Sequence, residues 1–171
     1  DLIGRIPTPT EVQAYLASTD KDKRAQLVRR LIDSSEFKQH QINEFDYLLM
    51  ADGKGALRDY LTKAFDKGRT WDQMFRDLVA GDYSDPDQKQ AQEFLKLRAK
   101  DLDRLTNDVS SIFFGVNISC AQCHDHPLVD DYMQSDYYGL YAFLQRTYQF
   151  ADKKTKKNEL AENFESRLNS M

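Results

Sequence analysis

Apolar residues recur along this chain at helical spacing. Leu57, Tyr60, Leu61, Ala64 and Phe65 fall at i, i+3, i+4, i+7 and i+8, the stripe that buries one face of an α-helix. The same period predicts helices carrying Val12, Tyr15 and Leu16, then Leu27, Val28, Leu31 and Ile32, then Phe37, Phe45, Leu48 and Leu49. Met74, Phe75, Leu78 and Val79 mark another. A long helical pattern follows through Phe94, Leu97, Leu102, Leu105, Val109, Ile112 and Phe113, with Gly115 or Asn117 as its breaker. Thr8-Pro9-Thr10-Glu11 and Thr70-Trp71-Asp72-Gln73 are capping boxes, the first with Pro in the opening helical position. Asp20, Ser34 or Ser35, and Asp136 are further helix starts, the last opening a helix over Tyr137 to Tyr148. Asp52-Gly53-Lys54-Gly55 and Gly81 to Asp87 are breaks, and Gly68 closes the fourth helix. No segment alternates apolar and polar residues for long enough to predict a sheet. The fold class expected is all-α, with residues 1–150 as one helical domain. Residues 151–171 are expected to be a charged linker or C-terminal helix, the basic run from Lys153 to Lys157 being its solvated part.

Composition narrows the class. The 171 residues suffice for one core, and 40% hydrophobic with 30% charged residues is globular. No apolar run approaches the length of a membrane span, so no membrane insertion by this segment is expected. The net charge of -4 lacks the basic surplus of a nucleic-acid binder. The chain starts at Asp1 with no initiator Met or signal peptide, and is read as a domain of a larger protein.

The chemistry concentrates in one place. The two cysteines of the chain, Cys120 and Cys123, stand in Cys120-Ala121-Gln122-Cys123-His124. This C-x-x-C-H spacing is that of c-type haem attachment, and coincidence at this composition is roughly one in 5,000. Two intervening residues let both thiols reach vinyl groups on one edge of a porphyrin, and the following His124 supplies the proximal iron ligand. Three other uses remain open. A disulfide-exchange C-x-x-C starts a helix in a βαβ context, and no such context is visible. A zinc site would need two further ligands, and His124 and His126 crowd the pair. A structural disulfide across two residues would be strained. Thioether attachment takes place outside the cytoplasm, so the motif implies export.

The segment Asp1 to Pro9, Thr70-Trp71-Asp72-Gln73-Met74, Leu78-Val79-Ala80-Gly81 and Phe114-Gly115-Val116 add to the motif. So do Cys120 to Pro127 and Asp136-Tyr137-Tyr138-Gly139-Leu140-Tyr141-Ala142-Phe143-Leu144. Together these resemble the second planctomycete cytochrome type, a cytochrome c-like domain of unknown function, over about residues 1 to 146. The resemblance implies a periplasmic or extracellular location within a large exported protein, and an electron-transfer role.

The expected site therefore has Cys120, Cys123, His124 and His126 as cofactor-binding residues of one haem c, with His124 on the iron and His126 on a propionate. Asp125 is expected to accept a hydrogen bond from the His124 ring or from backbone at a helix end. The distal ligand is open, with Met133, Met50, Met74 and His40 as candidates. His126 is excluded as that ligand because two residues cannot carry the chain round the macrocycle. The haem is expected to be a core element packed by many of the 10 Phe and 9 Tyr, with Trp71 and the aromatics of the last helix as candidate contacts, each one individually more often plain core. The motif lies late in the chain, as in four-helix-bundle cytochromes, but Pro127 cuts off the haem helix, so a different helical arrangement is expected. Expected partners are redox proteins or neighbouring domains, with no nucleic acid. The alternatives are a five-coordinate haem enzyme reactive with peroxide or a gas, and a haem-free interaction module with a structural Cys pair.

Overall fold

The stops and starts that punctuate the sequence set the backbone of the computed structural model, which describes residues 2–51, 54–154 and 156–162. Among them are α1 (Pro9–Ala17), α2 (Lys23–Ile32), α3 (Ser35–Met50), α4 (Arg58–Asp66) and α5 (Trp71–Ala80). They continue with α6 (Gln92–Arg98), α7 (Leu102–Val109), α8 (Gln134–Leu144) and a hairpin of β1 (Thr147–Ala151) and β2 (Asn158–Glu162). The protein is mostly helical with one small sheet, and it divides into two compact units, residues 1–68 and 69–171.

In the first unit, Glu11 Oε2 accepts from the Thr8 N–H at 2.6 Å and Thr8 Oγ1 accepts from the Glu11 N–H at 3.3 Å, so the first capping box closes from both sides. Arg5 forks onto the same carboxylate with two 2.9 Å contacts. Arg5 and Thr8 together hold the Glu11 carboxyl well below its usual range. Ser34 caps α3 by accepting from the Phe37 N–H. The core lies between α3 and α4, where Ile42, Leu49, Met50, Leu57, Tyr60, Leu61 and Ala64 are buried. Asp46 is buried beside them, and its two oxygens accept from the Gly55 N–H at 2.9 Å and the Leu57 N–H at 3.1 Å. The carboxylate satisfies backbone donors at the start of α4, of which the Leu57 N–H is buried. Gly68, at φ +60, terminates the unit as expected of a left-handed C-cap residue.

In the second unit, Gln73 accepts from the Thr70 N–H at 3.0 Å and starts α5. Met74, Leu78 and Val79 of α5, Phe94 and Leu95 of α6, and Leu105 and Val109 of α7 are all buried. Arg98 is buried as well, and donates to Asp108 at 2.7 Å and to the Phe94 carbonyl at 3.2 Å, tying α6 to α7. After α7 the chain takes one π-helical turn over Ser110–Phe114 and reverses at Gly115, φ +68. Phe113 of this turn packs on Trp71 at 5.2 Å, Phe75 at 4.8 Å and Phe94 at 5.4 Å between ring centroids. Trp71 thus belongs to an aromatic cluster of side chains.

Three expectations are corrected. The single helix expected over 94–113 is two, because Asp101 takes an extended conformation and caps α7 by accepting from the Arg104 N–H at 3.0 Å. The helix expected to run to Tyr148 ends at Leu144, and it starts at Gln134 because Asp136 reaches back to the Met133 N–H from the first turn. Third, the fold is mostly helical, as expected, but it carries a small two-stranded sheet that the sequence pattern does not predict. Thr147–Ala151 pairs antiparallel with Asn158–Glu162, Thr147 facing Glu162 and Ala151 facing Asn158. The lysine-rich run is the hairpin turn, with Asp152 accepting from the Lys154 N–H and Lys156 at φ 55. The hairpin is held on α6 by Lys96, whose ammonium meets Glu159 and whose carbonyl accepts from Gln149. A C-terminal helix beyond residue 162 would lie outside the described residues.

Candidate cofactor-attachment site

The motif is placed by small, local devices. Asn117 Oδ1 accepts from the backbone N–H and the hydroxyl of Ser119, opening a turn. Ser119–Gln122 then forms a 3₁₀ turn. Cys120 lies in this turn and Cys123, three residues on, caps its end. Ala121 points inward. It is fully buried with Ile118 and Tyr137, ringed by Val116, Leu140 and Tyr141. Both thiols are exposed and no disulfide joins them.

The turn is fastened to α8 through its middle. The Gln122 carbonyl, between the two cysteines, accepts from the Tyr138 hydroxyl at 3.1 Å and the Gln134 side-chain amide at 3.3 Å. Asp125 Oδ1 accepts from the Gln134 N–H at 2.8 Å, so this carboxylate serves a helix end, one of the two roles the sequence offered it. The other hydrogen bond expected of Asp125 is made by its backbone: His124 Nδ1 lies 2.6 Å from the Asp125 carbonyl. A carbonyl oxygen only accepts, so Nδ1 carries the proton and Nε2 keeps its lone pair for an external ligand. Metal-bound histidines are oriented in this way, by a backbone or carboxylate acceptor on the other ring nitrogen.

His126 is half-buried and already occupied. Its Nδ1 accepts from the Leu128 N–H at 3.2 Å, its own N–H donates to the Tyr132 carbonyl at 2.8 Å, and its ring stands edge-on to Tyr132. It builds the loop between motif and α8. Of the distal candidates, Met133 lies at the N-cap of α8 and is exposed. Met50 and Met74 are core residues, 4% and 6% exposed. His40 sits in the first unit, its ring so close to Gly4 that a Cβ there would lie 2.7 Å from Nδ1, with Glu44 3.8 Å away. The structure thus gathers Cys120, Cys123, His124, His126 and Met133 into one stretch of surface at the start of α8. Gln122, Gln134 and Tyr138 hold it, and they escape sequence reasoning because a carbonyl acceptor leaves no mark on residue type.

The donor set suits a haem c. Among the described residues, no group of three or more His, Cys, Asp or Glu is assembled for a metal ion, so a preformed zinc-type centre is not what these side chains make. Haem attachment asks for less: two accessible thiols three residues apart and one imidazole with a free Nε2. Exposed apolar side chains nearby along the chain, Leu128, Met133 and Tyr138, offer surface for a macrocycle. Beneath the turn, Ile118, Ala121 and Tyr137 pack together as a buried cluster.

The described residues form a mostly helical fold with the C-x-x-C-H turn clamped on α8. The sequence profile of PSCyt2, described as a protein of unknown function (DUF1549), matches residues 1–149. The chain belongs to this family, a planctomycete cytochrome-associated domain, and the match spans both compact units. No curated protein and no solved structure matches it.

Proposed function

We propose that this domain is an extracytoplasmic c-type cytochrome that transfers single electrons. The observation that carries the reading is the His124 ring: its Nδ1 faces a backbone acceptor at 2.6 Å, directly after two exposed, unbridged thiols. Haem c, when bound, supplies a one-electron iron couple that two thioethers keep from dissociating. The chain's own part is to present and orient. Cys120 and Cys123 would anchor one edge, and His124 would ligate through Nε2. The Asp125 carbonyl keeps that tautomer, and the Asp125 carboxylate fixes the segment to α8. Attachment chemistry places the domain in the periplasm or outside the cell, and its partners are redox proteins or neighbouring domains of a larger chain. No helix among the described residues is long and apolar enough to cross a membrane.

The visible spectrum of protein made with the haem-attachment machinery tests this. A Soret band with low-spin, six-coordinate features is expected. A high-spin, five-coordinate spectrum that changes on adding peroxide would overturn electron transfer in favour of catalysis. Colourless protein from a maturation-competent host would remove the haem reading and leave a haem-free interaction module.

A further inference from the structure

Beneath the motif lies a titratable group that haem attachment does not use. Tyr137 is completely buried, yet its hydroxyl donates to Asp103 Oδ1 on α7 at 2.7 Å. Its ring meets two other tyrosines of α8, Tyr138 at 5.3 Å and Tyr141 at 6.1 Å, and those two meet each other at 6.0 Å. Tyr138 is 48% exposed and its hydroxyl bonds the Gln122 carbonyl between the cysteines. A line of contacting phenols therefore runs from the motif surface to a buried phenol with its own carboxylate.

From this arrangement we propose that Tyr137 is a redox-active tyrosine, and Asp103 the base that takes its proton. A phenol gives up an electron readily only if its proton leaves too, because the cation radical left otherwise is a very strong acid. Exposed tyrosines release that proton to water. The Tyr137 side chain is shut off from water and its hydroxyl has one acceptor in line, Asp103, which lies at the surface and can pass the proton on. When a strong one-electron oxidant reaches the motif face, of the class formed from peroxide and iron, an electron leaves Tyr137 by way of Tyr138. The oxidant is reduced by one electron. The Tyr137 O–H bond breaks, an O–H bond forms on Asp103 Oδ1, and a neutral tyrosyl radical remains. A reductant reverses each transfer. At rest, burial and the Asp103 charge push the Tyr137 hydroxyl well above its ordinary range, so the proton stays on the phenol until the electron leaves. The pair would trap oxidising equivalents away from His124 and the sulfurs. It needs no haem, so it stands or falls separately from the cytochrome reading.

The test uses the full chain without haem and a flash-generated ruthenium(III) tris-bipyridine oxidant. Radical formation is followed by transient absorption and by electron paramagnetic resonance of frozen samples. The radical is expected to settle on Tyr137, although Tyr47 at 65% exposure is far more accessible. Tyr137→Phe should remove most of the long-lived signal. Asp103→Asn keeps the fold and a polar partner but not the base, and should slow radical formation about a hundredfold, the scale of a lost general base. Tyr138→Phe should slow it as well. Circular dichroism of each variant separates misfolding from redox effects, and Asp103→Asn carries the test if Tyr137→Phe does not fold. An undiminished signal in folded Tyr137→Phe, or an unchanged rate in Asp103→Asn, would overturn the proposal.

Discussion

Asp108→Ala is expected to destabilise the protein by about 3 kcal/mol, within the range for removing one partner of a buried ion pair. Arg98 is 1% exposed on its side chain and Asp108 is 32% exposed, so the arginine is the member that cannot return to water. Burial lowers the Arg98 pKa and Asp108 opposes that shift, which identifies the carboxylate as the group that keeps the charge tolerable. Without Asp108 the guanidinium keeps the Phe94 carbonyl and the Phe94 ring, 4.2 Å from its carbon, but loses the 2.7 Å contact to the Asp108 carboxylate. The double variant Arg98→Met with Asp108→Leu should recover most of the loss, because two apolar side chains of similar volume need no pairing. Urea unfolding checks both. The midpoint should fall in the single variant and largely return in the double one, with little change in slope. A single variant within about 0.5 kcal/mol of wild type would show that the pair does not hold α6 to α7.

The largest functional effect is expected at His124. Its side chain is exposed and its Nδ1 meets only the carbonyl of the next residue among the described residues, so His124→Ala should change the stability of the haem-free protein by no more than about 0.5 kcal/mol. In matured protein both thioethers should still form on Cys120 and Cys123, while the spectrum changes and the potential moves. Identical spectra in wild type and His124→Ala would remove His124 as the proximal ligand.

Much of this framework is written in the sequence because its signals are local. The boxes at Thr8 and Thr70 and the Ser34 cap each need only three or four consecutive residues, and each starts a helix in the structure. The stripe from Leu57 to Phe65 forms α4, and Leu57, Tyr60, Leu61 and Ala64 are buried. The C-x-x-C-H unit is equally local. What failed was non-local or ambiguous. Leu102, Leu105 and Val109 keep a helical phase after Leu97, so periodicity hides the turn that Asp101 makes between α6 and α7. The strand Asn-Glu-Leu-Ala-Glu of β2 has weak β-propensity and pairs only because β1 and α6 are there to receive it. The apolar stripe of α2 predicts burial, yet Val28 and Ile32 remain exposed, and nothing in the described structure covers them. At the site, residue types announce Cys120, Cys123 and His124. The clamp on Gln122 and the Tyr137–Asp103 pair join positions far apart in sequence and needed the fold to be seen.

Covalent attachment is the claim on which the cytochrome reading rests, and acid-acetone extraction of denatured, matured protein measures it most directly. Colour is expected to stay with the polypeptide, and to be released when Cys120 and Cys123 are both replaced by serine. Complete extraction of the colour from the wild-type chain would contradict thioether attachment at this motif.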